Sequence, residues 1–182
     1  MPYAIVLSFD EESSFPIHQI FKKFKDKNIG SMHYDPKMKP HITLKTYENI
    51  NIQTAKGRLS LFSIENKSFK IQISSIGYFP VEKSVIFLNP KASNELLIIQ
   101  QKVSNLFKDF EAKMSLSTWV PHCTLGMYLL KEDIPKAIDI IKKEIVITEE
   151  KPFYIQTTSI SLVKFEREPL KINWWLDYQL KG

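Results

Sequence analysis

Residues 40–47 read Pro-His-Ile-Thr-Leu-Lys-Thr-Tyr, and residues 121–128 read Pro-His-Cys-Thr-Leu-Gly-Met-Tyr. Both segments fit the pattern Pro-His-x-Thr-Leu-x-x-Tyr, and together they hold two of the four histidines of the chain. A proline at the entry, followed by alternating apolar or β-branched residues, predicts a β-strand in each segment. The sequence therefore contains two copies of one strand motif.

The histidine and the threonine of each copy share a face of the predicted strand, because side chains two residues apart point the same way. His41 and Thr43 lie together in the first copy, and His122 and Thr124 lie together in the second. The intervening residues are apolar and predict the core side of each strand. The polar faces are the candidates for function.

The composition is typical of an ordinary globular protein. The chain has 182 residues, 43% of them hydrophobic and 25% charged, which suits one domain with a substantial core. The first ten residues do not resemble a signal peptide, and no stretch reaches the roughly 20 apolar residues of a membrane span. The single cysteine, Cys123, cannot form an internal disulfide. These features favour a cytoplasmic protein that does not associate with membranes. We also expect it to be a monomer.

The charge balance is mildly basic. The net charge is +5, and many of the lysines that produce it occur in predicted helices, where a solvated outer face is their usual environment. Such a balance permits an anionic partner, such as a nucleotide or an RNA, without demonstrating one.

Strands and helices are predicted to alternate along the chain, from the spacing of apolar residues. Strands are predicted at 3–9, in both motifs, and at 69–76, 84–89 and 172–179, with one long or two short strands over 153–165. Helices are predicted from about 13 to 30, 52 to 62, 96 to 110 and 134 to 145. The first helix is expected to begin at a cap of Ser13 or Ser14, to have Pro16 near its first turn, and to end at Gly30.

A constant offset relates the two parts of the chain. The motif histidines are 81 residues apart, and the preceding predicted strands, beginning at Tyr3 and Ser84, show the same offset. This indicates duplication of a β-α-β-α-β unit, with halves of about 1–80 and 81–182 in a single bilobal domain over 1–182. The prediction is an α+β fold in which two antiparallel sheets flank a central cleft, with helices on the outer faces. A pseudo-two-fold axis would bring both motifs into that cleft.

Two imidazoles across a cleft can serve as a general acid and a general base near neutral pH. The threonine hydroxyls can donate hydrogen bonds to the oxygens of an anion held between the imidazoles. A phosphodiester fits this arrangement: one histidine deprotonates a water for in-line attack, and the other protonates the departing alkoxide. This chemistry requires no cofactor and no metal ion.

Further substrate-binding candidates follow from strand alternation. Lys45, Tyr47 and Tyr128 share the parity of the motif histidines and are expected to reach the cleft, the lysine as a phosphate cation and the tyrosines as stacking surfaces. Trp119, just before the second motif, is expected to reach the substrate. Arg167 is a further candidate phosphate contact. For all five, packing or surface solvation is the alternative interpretation.

The paired motifs resemble the H-x-T signatures of the 2H phosphoesterase superfamily, which includes the 2′-5′ RNA ligase-like proteins and cyclic nucleotide phosphodiesterases. The resemblance extends over nearly the whole chain and implies a bilobal fold around a central cleft. It also implies metal-independent hydrolysis of 2′,3′-cyclic or related phosphodiesters on nucleotides or RNA ends. By resemblance, His41, Thr43, His122 and Thr124 are the catalytic residues. We expect His122 to activate water and His41 to protonate the leaving oxygen, although the symmetry of the motif leaves the reverse assignment open.

Two other functions are compatible with the sequence. A non-catalytic module that binds RNA ends or nucleotides would use the same cleft without turnover. A structural or interaction protein would use the duplication only as a scaffold. The presence of two proton-transfer groups favours the enzyme over both.

The remaining histidines and the cysteine are not expected to take part in catalysis. His18 lies beside the apolar stripe of the first predicted helix and His33 lies in a predicted loop, so both are expected to be structural or exposed. No spacing typical of a metal site occurs. Cys123 and His122 are adjacent in a predicted strand and face opposite ways, which excludes a cysteine–histidine nucleophile pair.

Overall fold

The computed structural model describes residues 2–30, 35–82, 84–111, 119–167 and 170–182. The strands are β1 (Tyr3–Phe9), β2 (His41–Tyr47), β3 (Lys70–Phe79), β4 (Ser84–Pro90), β5 (Cys123–Leu129), β6 (Phe153–Glu166) and β7 (Lys171–Gln179). The α-helices are α1 (Glu11–Asp26), α2 (Ile52–Glu65), α3 (Asn94–Leu106) and α4 (Ile134–Glu144). The predicted α+β class is confirmed, and the β-α-β-α-β order occurs twice, followed by β7.

Helix α1 begins and ends at residues other than those predicted. Asp10 is the N-cap, and its carboxylate accepts a hydrogen bond of 2.6 Å from the backbone N–H of Ser13. The helix ends at Asp26, and Asn28 adopts the left-handed conformation with φ of 53°. The serine cap was wrong because an aspartate three residues earlier satisfies the same free N–H groups. Pro16 lies inside the helix rather than in its first turn.

All seven strands belong to one antiparallel sheet, in the order β2-β1-β6-β3-β4-β5, with β7 paired to β6. The start of β6 pairs with β3, and the rest of this 14-residue strand pairs with β1 and β7. The two predicted sheets are thus joined through β6. One half of the sheet carries the first motif and the other half carries the second.

Helices connect the two halves. Helix α1 follows β1 in the chain but packs against α4 and β5, and α3 follows β4 but packs against β2. The side chains of Ile42, Leu44, Cys123 and Leu125 have no exposed surface and join one buried cluster drawn from both halves. The apolar faces of both motif strands are therefore anchored in a shared core.

Each motif strand contains a β-bulge at the same position. In β2, Ile5 pairs with Lys45 and Val6 with Thr43, which leaves Leu44 as the extra residue. In β5 the corresponding extra residue is Leu125. A bulge places two consecutive residues on one side of a strand and reverses the alternation after it. This reversal determines which later side chains reach the cleft.

None of the described helices is long and apolar enough to cross a membrane.

Candidate active site

A cavity of about 220 Å³ lies between the two motif strands and has all four motif residues in its wall. His41 and Thr43 come from β2, while Thr124 comes from β5 and His122 immediately precedes that strand. Burial of the adjacent residues in the shared core turns these side chains toward the cavity. The alternation predicted from the sequence thus places both polar pairs in one cavity.

The two histidines are held in the same way. Nδ1 of His41 lies 2.7 Å from the backbone carbonyl oxygen of Lys39, and Nδ1 of His122 lies 2.7 Å from that of Val120. A carbonyl can only accept, so each Nδ1 carries the hydrogen and donates it. In the neutral ring, Nε2 is then an unprotonated acceptor available to a ligand. Both imidazoles are fixed in one tautomer before any substrate binds.

The surroundings of the two histidines differ. The ring of His41 meets Trp175 edge-on, with centroids 5.3 Å apart. The ring centroid of His122 lies 5.4 Å from the ring centroids of both Phe79 and Phe87. The imidazoles therefore contact different aromatic side chains, an indole at His41 and two phenyl rings at His122.

Electrostatics separates the two histidines further. Burial lowers the pKa of His41 to about 4, opposed by its hydrogen bond to Lys39 and reinforced by the charge on His122. Burial also lowers the pKa of His122, opposed by its hydrogen bond to Val120. A proton on His122 therefore disfavours one on His41, although burial is the larger cause of the low pKa of His41.

A hydrogen bond links the two halves of the molecule beside the two motifs. The indole N–H of Trp119 donates to the backbone carbonyl of Thr43 over 2.9 Å. The segment that leads into the second motif is thereby tied to the first motif strand. Trp119 is not among the residues that line the cavity. Its hydrogen bond instead links the segment before the second motif to the first motif strand.

The structure does not place Lys45 or Tyr47 in the cavity wall. The bulge at Leu44 turns Lys45 to the core side, where 8% of its surface is exposed and burial lowers its pKa. Tyr47 is fully buried and packs against Phe107 and Phe110. Its hydroxyl has no hydrogen-bond partner among the described residues, and burial raises its pKa. The expected orientations of both residues are wrong because strict alternation does not continue through a bulge.

Tyr128 and Arg167 also lie outside the cavity wall. Tyr128 has a positive φ of 59°, so the regular alternation of β5 ends before it. A guanidinium nitrogen of Arg167 lies 2.8 Å from the carboxylate of Glu48 and forms an ion pair with it. The sequence could not indicate either the backbone turn or the acidic partner.

In the cavity wall, Thr46 of β2 stands where Lys45 and Tyr47 were expected, and Met127 of β5 stands where Tyr128 was expected. Thr46 and Met127 are separated by the motif offset of 81 residues, so the repeat is symmetrical in shape here although it differs in chemistry. The remaining wall is largely apolar, and none of its residues is among the predicted catalytic or substrate-binding residues. It comprises Ala4, Val6, Met38, Val163, Phe165, Leu170, Ile172 and Trp175.

The remaining histidines stay apart from this cavity where the structure describes them. His18 packs against Phe21, and burial lowers its pKa while Glu11 raises it. His33 lies outside the described residues. Within the described ranges, no group of three or more His, Cys, Asp and Glu side chains is arranged to hold a metal ion.

The position of His122 is expected to depend on Gly77, which leaves room for a ring that packs on this histidine. A Cβ at Gly77 would lie 2.5 Å from Cε2 of Phe87, so Gly77→Ala must displace that ring. If the cavity is catalytic, we expect kcat to fall by up to about 10²-fold, the cost of a displacement near 1 Å. Steady-state kinetics with the substrates proposed below measures this change.

Gly57→Ala is the matched control. A Cβ at Gly57 meets nothing within 4 Å, and alanine is the better helix former by about 1 kcal/mol. The control should keep wild-type kinetics and gain stability. Equal kcat values for the wild type and the Gly77→Ala variant would show that the Phe87 ring does not position His122.

Comparisons with known proteins agree with this architecture. The sequence profile of the 2′-5′ RNA ligase superfamily matches residues 11–168. No curated protein matches the sequence.

The fold is similar to several solved structures. TT0787 of Thermus thermophilus has a TM-score of 0.63 at 12% identity, with full coverage of both chains. E. coli LigT complexed with 3′-AMP has a TM-score of 0.59 at 14% identity, also with full coverage of both chains. Kluyveromyces marxianus Usb1 has a TM-score of 0.52 at 12% identity, with 98% of each chain covered. At these identities the similarity concerns the fold.

Proposed function

The chain belongs to the 2′-5′ RNA ligase superfamily, within the 2H phosphoesterases, and on this premise we propose that it is a metal-independent phosphoesterase. Its proposed substrates are 2′,3′-cyclic or related phosphodiesters on nucleotides or RNA ends. The reaction is hydrolysis, with one imidazole as general base and the other as general acid. E. coli LigT, which has a similar fold, forms a complex with the nucleotide 3′-AMP, and this supports the choice of substrate class.

One observation carries this proposal: both His-x-Thr pairs line a single cavity, and each histidine donates Nδ1–H to a backbone carbonyl. The two Nε2 atoms are left for a ligand between the strands. Two imidazoles in these positions suit in-line displacement at phosphorus, in which one group accepts a proton from the nucleophile and another donates a proton to the leaving oxygen.

We assign the base to His41 and the acid to His122. His41, with a pKa of about 4, is neutral near pH 7 and accepts a proton from water through Nε2. His122 carries the proton more readily, because burial lowers the pKa of His41 further than it lowers that of His122. It then donates that proton from Nε2 to the departing ribose oxygen. This assignment reverses the one favoured by the sequence, because the surroundings of the two rings differ although the motifs match.

The threonines supply hydroxyl donors to the non-bridging oxygens of the phosphoryl group. Thr43 and Thr124 lie beside the two histidines in the cavity wall. Hydrogen bonds that strengthen as charge develops on those oxygens stabilise the transition state rather than the bound substrate. If the 5′-hydroxyl of a second RNA replaces water as the nucleophile, the same groups would produce a 2′-5′ linkage.

The test is a panel of 2′,3′-cyclic nucleotides and RNAs with a cyclic phosphate end, assayed in EDTA with product identification. We expect conversion to a single phosphomonoester isomer, undiminished by the chelator. Saturable binding without product would instead support the non-catalytic module, and neither binding nor product would contradict both functions. An added RNA with a 5′-hydroxyl reports ligation in the same assay.

The pH dependence is expected to be bell-shaped and displaced toward acid. Activity requires neutral His41, so kcat/KM should rise as the pH increases through about 4. Activity also requires protonated His122, whose pKa lies below its ordinary value of 6.5, so kcat/KM should fall again before the pH reaches that value. A rate profile from about pH 3 to about pH 9 measures both limbs. A profile that is flat across this range would contradict titration of this pair.

A further inference from the structure

Asp177, on β7, accepts the hydrogen bonds that hold together a polar cluster beside His41. Its Oδ2 accepts a hydrogen bond of 2.6 Å from Nζ of Lys39, and its Oδ1 accepts one of 2.9 Å from the indole N–H of Trp175. Both of these residues also contact His41. The Lys39 carbonyl accepts the Nδ1–H of His41, and the Trp175 ring packs against the imidazole. Asp177 is therefore connected to His41 by two routes, one through Lys39 and one through Trp175.

The cluster is anchored to the sheet. The hydroxyl of Ser161 donates to Oδ1 of Asp177 over 2.6 Å, and so Ser8 must donate to Ser161 over their 2.8 Å contact. Both serines are buried. Burial opposes the charge of Asp177, but hydrogen bonds from Lys39 and Ser161 outweigh it and keep the pKa of this carboxyl low. The carboxylate is thus a fixed, ionised acceptor.

His122 has no equivalent of this cluster among the described residues. The carbonyl that orients His122 belongs to Val120, an apolar residue with about half of its surface exposed, and its ring neighbours are phenylalanines. Within the described ranges, a carbonyl that fixes the tautomer lies beside both histidines, whereas a carboxylate with these contacts lies beside His41 alone. The polar cluster therefore supports His41, the histidine with the lower pKa and the proposed base.

We propose that Asp177 is a positioning residue for His41, which it holds through the Lys39 backbone and the Trp175 ring so that Nε2 faces the reacting phosphodiester. This proposal rests on the proposed function and extends it to a residue outside the duplicated motifs. Asp177 does not touch the reacting atoms. It keeps the carbonyl of Lys39 where it selects the Nδ1–H tautomer and keeps Trp175 where it limits rotation of the imidazole.

Variants of the full chain separate the two routes. Asp177→Ala removes every contact, whereas Asp177→Asn retains an oxygen that accepts from Trp175 and Ser161 but loses the ion pair with Lys39. Lys39→Met removes the ion pair from the other side and keeps the backbone carbonyl. The control is Glu144→Gln, which removes the ion pair between Glu144 and Lys23, neither of which lines the cavity.

We expect Asp177→Ala to lower kcat by about 10-fold to 100-fold with little change in KM, as displacement of a reacting group does. Asp177→Asn and Lys39→Met should have intermediate effects, and Glu144→Gln should have none. In ¹⁵N NMR spectra of the imidazoles, the Nδ1–H signature of His41 should weaken in the Asp177 variants while that of His122 is unchanged.

The NMR measurement does not depend on turnover, so it judges this proposal even if no cyclic phosphate proves to be a substrate. A wild-type His41 spectrum in Asp177→Ala, or a loss confined to KM, would overturn the positioning role. If Asp177→Ala does not fold, the exposed Lys39→Met change provides the same test: an unaltered His41 spectrum and unaltered kcat would overturn the proposal.

Discussion

Replacing either motif histidine with asparagine is expected to lower kcat for a 2′,3′-cyclic nucleotide by about 10²–10⁴-fold, the usual contribution of one general acid or base. Asparagine can still donate a hydrogen bond to the Lys39 or Val120 carbonyl but cannot exchange a proton. The fold should survive, because both histidines are partly exposed in the cavity wall rather than part of the buried cluster. Single-turnover rates measure the loss, and circular dichroism checks the fold.

A substrate with a better leaving group distinguishes the two roles. A nucleoside phosphodiester of p-nitrophenol needs little protonation of its leaving oxygen, so His122→Asn should recover much of its rate on this ester. His41→Asn should not, because water must still be deprotonated. Recovery by His41→Asn alone would show that the acid and base assignments are reversed. Full activity of either variant on the cyclic substrate would exclude the mechanism.

The second large effect is expected at the threonines. Thr43→Val and Thr124→Val each remove one hydroxyl and keep the shape of the side chain. Loss of one donor to a developing oxyanion costs about 10²–10³-fold in kcat, and KM should change much less if the bonds strengthen in the transition state. Steady-state kinetics on the cyclic nucleotide measures both parameters.

Thr46→Val is the matched control for these variants. Thr46 lines the same cavity and comes from the same strand, but the corresponding residue of the second motif is Met127. A role shared by both halves therefore cannot depend on a hydroxyl at this position. If Thr46→Val loses as much activity as Thr43→Val, the oxygens of the substrate are bound deeper along β2 than we propose.

The sequence was sufficient to predict the fold class and the convergence of the two motifs, for a physical reason. Apolar residues on one face of a strand must be buried, which forces the opposite face outward. In each motif that opposite face carries the histidine and threonine. A duplicated unit with a shared core then has few ways to arrange its two polar faces other than across one cleft.

Strict alternation of the side chains does not hold where the backbone departs from regular strand geometry. Alternation along β2 predicts that Lys45 and Tyr47 face the cleft, but the bulge at Leu44 turns both side chains toward the core. A leucine inside a strand gives no local signal of a bulge. The appearance of Thr46 and Met127 at the same offset in the cavity wall shows that the bulge belongs to the repeat. It became visible only through the pairing of β2 with β1 and of β5 with β4.

The non-repeated part of the site was the least predictable. Trp175 and Asp177 lie on β7, which follows the second β-α-β-α-β unit and has no counterpart in a two-fold count of the chain. Their role depends on the pairing of β7 with β6, which brings Asp177 opposite Ser161 and Trp175 opposite Val163. Asp177 and its partner Lys39 are 138 positions apart in the sequence, and a contact over that separation cannot be deduced from residue spacing.

A crystal structure of the wild-type protein with a nucleoside vanadate would show whether both motif histidines flank one phosphorus atom. The five-coordinate vanadium imitates the phosphorus atom in the transition state. We predict that the vanadium lies between β2 and β5. Nε2 of His41 and of His122 should each be within about 3.2 Å of a different apical oxygen, with the hydroxyls of Thr43 and Thr124 on equatorial oxygens. A vanadate that contacts one imidazole alone, or that binds away from this cavity, would contradict the account.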